Sequence, residues 1–180
     1  MDLHSDLHKR RIDLVAFLGA LCLFLSTVEY LFPKPIPFMR LGLANLPILV
    51  SLKLLPFPYL MLLTLVKVAG QGLINGTLAS YVFIFSVAGS YSSVLVMYAV
   101  SRTGGRFLSL VGVSLAGSMT SNAVQVLLSI YFIFGKNAVM IAPLFLGIGT
   151  VSGLLIGLIA EGFVEHSRWH ANLRRLYAQE

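Results

Sequence analysis

Between residues 13 and 165 the chain is a succession of apolar runs, parted only by short breaks rich in proline, glycine or charge. This pattern constrains the fold more than any motif. About 20 predominantly apolar residues carry an α-helix across a bilayer, so each such run reads as a spanning helix. The breaks lie at 33–37, 56–58, 75–76, 102–106 and 135–137. They predict helices over about 13–32, 41–55, 59–75, 78–101, 107–134 and 138–165. The expected fold is an all-α membrane protein, a bundle of six transmembrane helices. A tail over 1–12 precedes the transmembrane domain over 13–165, and a tail over 166–180 follows it. The second tail reads as a short amphipathic helix with Trp169, Leu173, Leu176 and Tyr177 on one side. The first apolar run is longer than the core of a signal peptide and ends without a small-residue cleavage pattern, so it is expected to remain as a helix.

Composition agrees. Hydrophobic residues make up 57% of the chain and charged ones 11%, and mean hydropathy is +0.87. That is far from the soluble average. The formal charge of +6 fits topology better than nucleic-acid binding. With six crossings, Lys9, Arg10, Arg11, Lys53, Arg102, Arg106, Arg168, Arg174 and Arg175 share one side, whereas only Lys34, Arg40 and Lys136 take the other. The positive-inside rule then puts both termini in the cytoplasm of a multi-pass cell-membrane protein.

Polar groups inside the apolar runs are the functional signal. In a bilayer, an intramembrane amide or charge marks a site by default. The stretch over 38–55, FMRLGLANLPILVSLKLL, carries Arg40, Asn45 and a helix-kinking Pro47. Thr64, Lys67, Gln71 and Asn75 are spaced by three, four and four on the third helix, one stripe on one face. Ser118, Asn122, Gln125 and Ser129 form a similar stripe on the fifth, and Ser86, Ser90 and Ser93 lie on the fourth. With Glu29 near the outer end of the first helix, strong polar groups from several helices share one depth toward the outside. Lone serines between membrane helices serve mostly as interhelical hydrogen-bonding groups, worth about 0.6 kcal/mol a pair. Lys67 is too deep for its stem to reach an interface comfortably, and Glu29 is the outer-half carboxylate able to pair with it. Glu29, Arg40, Asn45, Lys67, Gln71, Asn75, Asn122 and Gln125 are therefore the expected substrate-binding residues. The cations favour a substrate with an anionic group.

Two small-residue stripes allow close helix approach: Ala16 and Ala20 with Gly19 beside them, and Gly149, Gly153 and Gly157. Either could pack internally or dock another subunit. Enzyme chemistry finds little support. None of the seven carboxylates forms an aspartate-rich pair, the four histidines lie in the tails without a zincin pattern, and no Walker A loop is present. The single cysteine, Cys22, is a packing residue in mid-helix. No catalytic residue, metal or cofactor is expected.

The size, the proline-rich first outer loop and the segment MRLGLANLPILVSLKLL resemble the substrate-binding S components of energy-coupling-factor (ECF) transporters. More closely, the segments over 39–55, 66–89 and 117–125 resemble the Gx transporter family, also described as heptaprenyl diphosphate synthase component I. The resemblance covers about residues 13–165. It implies a pocket opening outward beneath the first loop, and it makes Ala16 and Ala20 the expected docking pair for a transmembrane coupling subunit. The expected function is capture of a small organic solute, of a vitamin, flavin-like or isoprenoid-phosphate class, for ATP-driven transport by partner ATPase subunits. The alternatives are a non-catalytic accessory subunit in prenyl diphosphate or quinone metabolism, or a structural partner in a membrane electron-transfer assembly.

Overall fold

The computed structural model describes residues 3–31, 42–104 and 108–178, which are helical almost throughout. The helices are α1 (Leu3–Leu31), α2 (Leu46–Ser51), α3 (Phe57–Ile74), α4 (Tyr81–Thr103), α5 (Leu110–Ser129), α6 (Ala142–His166) and α7 (Arg168–Ala178). A 3-10 turn, Leu43–Asn45, leads into α2, while a π turn and a second 3-10 segment connect α5 to α6. Helices α1, α3, α4, α5 with its π turn, and α6 are each long and apolar enough to cross a membrane. The chain is a multi-pass membrane protein. Arg40 and the proline-rich segment before it lie outside the described residues.

Two expected helices differ in extent. Helix α1 begins at Leu3 rather than near residue 13, because residues 3–12 contain no proline or glycine to stop it. The helix expected over 41–55 is a 3-10 turn followed by six α-helical residues. Pro47 does not kink this helix. It sits in its first turn, where a missing N–H costs nothing. At about 1.5 Å per residue, α2 is about 9 Å long and cannot span a bilayer alone. Its Pro47, Ile48, Leu49, Val50 and Ser51 are all buried. Gly42 lies beside Glu29 near the end of α1, whereas Lys53 faces the same pocket as Arg11, Arg102 and Arg174. The segment therefore runs inside the bundle, from the end of α1 toward the end where α1 starts.

Packing follows the polar stripes in reverse of a soluble protein. Thr64, Lys67, Gln71, Ser90, Ser93, Asn122, Gln125 and Ser129 are buried, while Phe17, Phe24, Leu65, Leu73, Leu127, Leu155, Leu158 and Ile159 are exposed. Exposed apolar surface on this scale belongs against lipid. The structure also assigns the two small-residue stripes. Gly149, Gly153 and Gly157 face α5: added Cβ atoms would meet the Asn122 amide, the Ser118 side chain with the Leu115 backbone, and the Val111 Cα at 2.6 Å. This stripe packs internally. On α1 the stripe divides, with Gly19 buried against Val66 of α3 and Ala16 and Ala20 exposed.

Helix α7 folds back under the bundle. Trp169 packs on Phe17 and Phe163, with ring centroids 5.9 and 6.5 Å away. His170 is buried and pairs through Nε2 with the Val50 carbonyl at 3.3 Å. The expected apolar side is thus anchored by a histidine that the apolar pattern left out.

Two predictions follow from this packing. Gly157→Ala must push backbone away and should cost about 1–3 kcal/mol, whereas Gly147→Ala and Gly162→Ala, inside α6, meet nothing within 4 Å and should raise the thermal unfolding temperature in detergent slightly, by up to ~1 kcal/mol of helix preference each. Burial holds the His170 imidazole below its ordinary value of 6.5, with Arg174 and Lys53 adding to the effect and the Val50 carbonyl opposing it. A base whose folded pKa is lowered contributes stability that is complete above 6.5 and is lost as pH falls toward the lowered value. Emission of Trp169, the single tryptophan, should shift to the red only as pH falls below 6.5. His170→Gln should remove that dependence.

Candidate functional site

The site grows from the short 3-10 turn. Gly42 takes φ +85°, a left-handed conformation that favours glycine. This turns the chain so that the Gly42 and Leu43 N–H groups both donate to Glu29 Oε2, at 3.1 and 2.9 Å. Glu29 thereby caps the start of a turn from the neighbouring helix, a carboxylate meeting donors that have no partner within their own segment. One turn later Asn45 presents its side-chain oxygen to Lys67 Nζ, which donates to it and to Ser90 Oγ, the latter at 3.2 Å.

Lys67 lies about 15 Å along α3 from its start and about 10 Å from its end, at 1.5 Å per residue. It is 3% exposed, so its ammonium is held inside the bundle and not at an interface. Glu29, Gly42, Ala44, Asn45, Lys67, Gln71, Ser90, Ser118, Ser121, Asn122 and Ser152 line one cavity. Five of the expected site residues therefore meet: Glu29, Asn45, Lys67, Gln71 and Asn122. Two others stand apart. Gln125 is buried one turn further along α5, its Nε2 donating to Ser121 Oγ at 3.2 Å, with no hydrogen-bond partner at its Oε1 among the described residues. Asn75 closes the end of α3, its N–H donating to the Gln71 carbonyl at 3.0 Å. Arg40 lies outside the described residues.

The cavity also has walls that the polar stripes did not announce. Gly42 enters through its turn, and Ser152 enters because Gly149 and Gly153 bring α6 against α5. Ser121 could have been found, since it is spaced by three from Ser118 and by four from Gln125 on the same face. A second small cavity, lined by Gly42, Asn45, Leu49, Ser93, Met97, Ser114, Ser118 and Ile156, adjoins the first. Asn45 lies between the two.

The volumes are small, about 30 and about 20 Å³. A water needs about 10–15 Å³ by this measure. The site as it stands has room for one or two waters at most, and admitting an organic molecule requires its walls to part.

Residues 18–163 match the protein family described as heptaprenyl diphosphate synthase component I. The chain belongs to that family. The match bears out the resemblance carried by residues 39–55, 66–89 and 117–125. This family member matches no curated protein and no solved structure. The family's description names one component of a synthase.

The geometry predicts the consequences of losing the cap. Glu29→Ala leaves two turn N–H groups without their acceptor and should lower unfolding stability by about 1–2 kcal/mol. Glu29→Gln keeps a side-chain oxygen and should lose less than half as much. Thermal unfolding of the two variants in one detergent checks the order.

Proposed function

We propose that this chain is a solute-binding membrane protein of the S-component kind, capturing a small organic anion from the outer side for transport driven by partner subunits. The observation that carries the reading is Lys67, a buried ammonium inside a membrane bundle, facing a cavity with Asn45, Gln71, Asn122 and the Glu29 carboxylate. A charge at that depth needs a strong reason to be there, and intramembrane cations mark substrate paths by default.

The mechanism follows from the contacts. An incoming carboxylate or phosphate competes with Asn45 for Lys67. Asn45 belongs to the turn that Glu29 caps, so displacing it moves the segment that leads into α2. Binding is thereby coupled to the one internal segment that is too short to be a rigid spanning helix. Gln71 and Asn122 offer amides to the solute, with Gln125 and Asn75 a turn away. Isoprenoid phosphates fall within the anionic class and accord with the family's name; vitamins and flavin-like molecules are the other classes.

Segment 42–55 makes the sixth crossing in this reading, supported by Gly42 beside Glu29 and Lys53 beside Arg11 and Arg174. Both termini then share the basic, cytoplasmic side of the cell membrane. Ala16 and Ala20, exposed on α1, offer a small-residue face to a transmembrane coupling subunit, and the ATPase subunits act through that partner.

Native mass spectrometry of gently purified protein tests the reading. The wild type should carry a co-purifying anionic small molecule, Lys67→Ala should lose it, and Lys67→Arg should retain part of it. A wild type that carries nothing, with Lys67→Ala merely lowering the unfolding temperature, would make Lys67 a structural charge.

A further inference from the structure

Four cations converge at the other end of the bundle. Arg11 of α1, Lys53 of the turn after α2, Arg102 in the last turn of α4 and Arg174 of α7 line one open pocket with Ser101 and the 52–56 backbone turn. Its volume is about 390 Å³, against about 30 Å³ for the polar cavity around Lys67. Topology requires basic residues on one side of a membrane. It does not require four of them, from four separate segments, to converge on one concavity. Lys9, Arg10, Arg168 and Arg175 satisfy the same rule from outside this pocket.

Two of the guanidinium groups are held in place by aromatic rings. Arg102 lies over Tyr98, 5.4 Å from the ring centroid, and Arg11 lies over Tyr59 at 5.7 Å. Tyr59 is fixed in turn by His8, at 2.6 Å from its hydroxyl, and Tyr98 by Phe57, at 5.0 Å between centroids. For Arg102 such stacking leaves the N–H edges of the guanidinium available for hydrogen bonds. Lys53, Arg102 and Arg174 form no ion pair among the described residues, and the described lining of the pocket contains no carboxylate. Arginine forks match phosphate oxygens two at a time, and basic pockets between membrane helices are suited to phosphorylated headgroups.

We propose that this pocket is a phosphate-binding site, separate from the Lys67 cavity. Arg102 acts as a ring-held fork and Lys53 and Arg174 as flanking charges, with Arg11 adding positive charge to the wall. Its ligand is a phosphate or diphosphate monoester or diester, supplied either by an anionic lipid headgroup or by a soluble phosphorylated molecule. Because Arg174 belongs to α7, an occupied pocket ties α7 to the α2–α3 turn and to the end of α4.

The experiment has two arms on the full chain. In the first, the protein in nanodiscs of phosphatidylcholine with a minor share of phosphatidylglycerol is released for native mass spectrometry, and retained lipid is counted. In the second, inorganic diphosphate is titrated into detergent-solubilised protein at constant ionic strength, with chloride as control, while the unfolding temperature and Trp169 emission are followed. Retention of phosphatidylglycerol over phosphatidylcholine without a diphosphate response assigns a lipid source. A saturable diphosphate response assigns a soluble phosphate source. In either arm, Arg102→Gln with Arg174→Gln should weaken binding about tenfold or more. Lys53→Gln, at an exposed position, should weaken it in the same direction and keeps the test valid if the double variant unfolds. The proposal is overturned if neither arm shows selective binding, or if folded variants bind as well as the wild type.

Discussion

Burying a charge in a low-dielectric interior costs several kcal/mol unless hydrogen bonds replace its water, and this architecture depends on how that is done for Lys67. The ammonium is held by Asn45 from the turn before α2 and by Ser90 from α4. Asn45 belongs to the turn that Glu29 caps. One chain of contacts thus links α1, the 42–51 segment, α3 and α4. The short segment is too small to be stable as an isolated helix. It keeps its place because its apolar side is buried in the core with Leu14, Leu18, Leu60 and Leu63 and its polar start is tied to Glu29.

The other half of the bundle is built on close approach. With lipid outside, helices gain nothing from hiding apolar surface against one another and rely on packing contact. Glycines supply it: α6 rests on α5 through Gly149, Gly153 and Gly157, and Gly117 of α5 receives Met97 and Ser93 of α4. That fit brings Ser118, Ser121, Asn122 and Ser152 to the cavity that Lys67 enters from the other side. Packing and polarity are therefore coupled, since the glycines that let α5 and α6 touch also set the width of the cavity.

The two ends of the molecule contrast in a way that bears on mechanism. Around Lys67 the polar groups are close-packed, largely satisfied by one another, and leave room only for water. At the basic end the cations are splayed around an open bay, two of them held by aromatic faces. A closed site needs the bundle to move before it can take a ligand. An open site needs only the ligand to arrive.

Much of this was legible in the chain. Long apolar runs have to be buried or sit in lipid, so the helical class and the spanning helices α1, α3, α4, α5 and α6 followed from length and hydropathy alone. Helical spacing of three and four put Lys67 with Gln71, and Ser118 with Asn122, on common faces, because 3.6 residues make a turn whatever the neighbours are. The tertiary structure alone decided the rest. Pro47 begins a helix instead of kinking one, since the backbone direction at Gly42 sets where the helix can start. The α6 glycines face inward and Ala16 and Ala20 outward, since a stripe of small residues does not reveal which neighbour fills it. Arg11, Lys53, Arg102 and Arg174 meet because four segments far apart in sequence pass one place, and no local spacing encodes that. The sequence determined which residues lie in helices and which faces those helices carry, because those depend on near neighbours along the chain. Which faces meet was settled by packing between segments far apart in sequence.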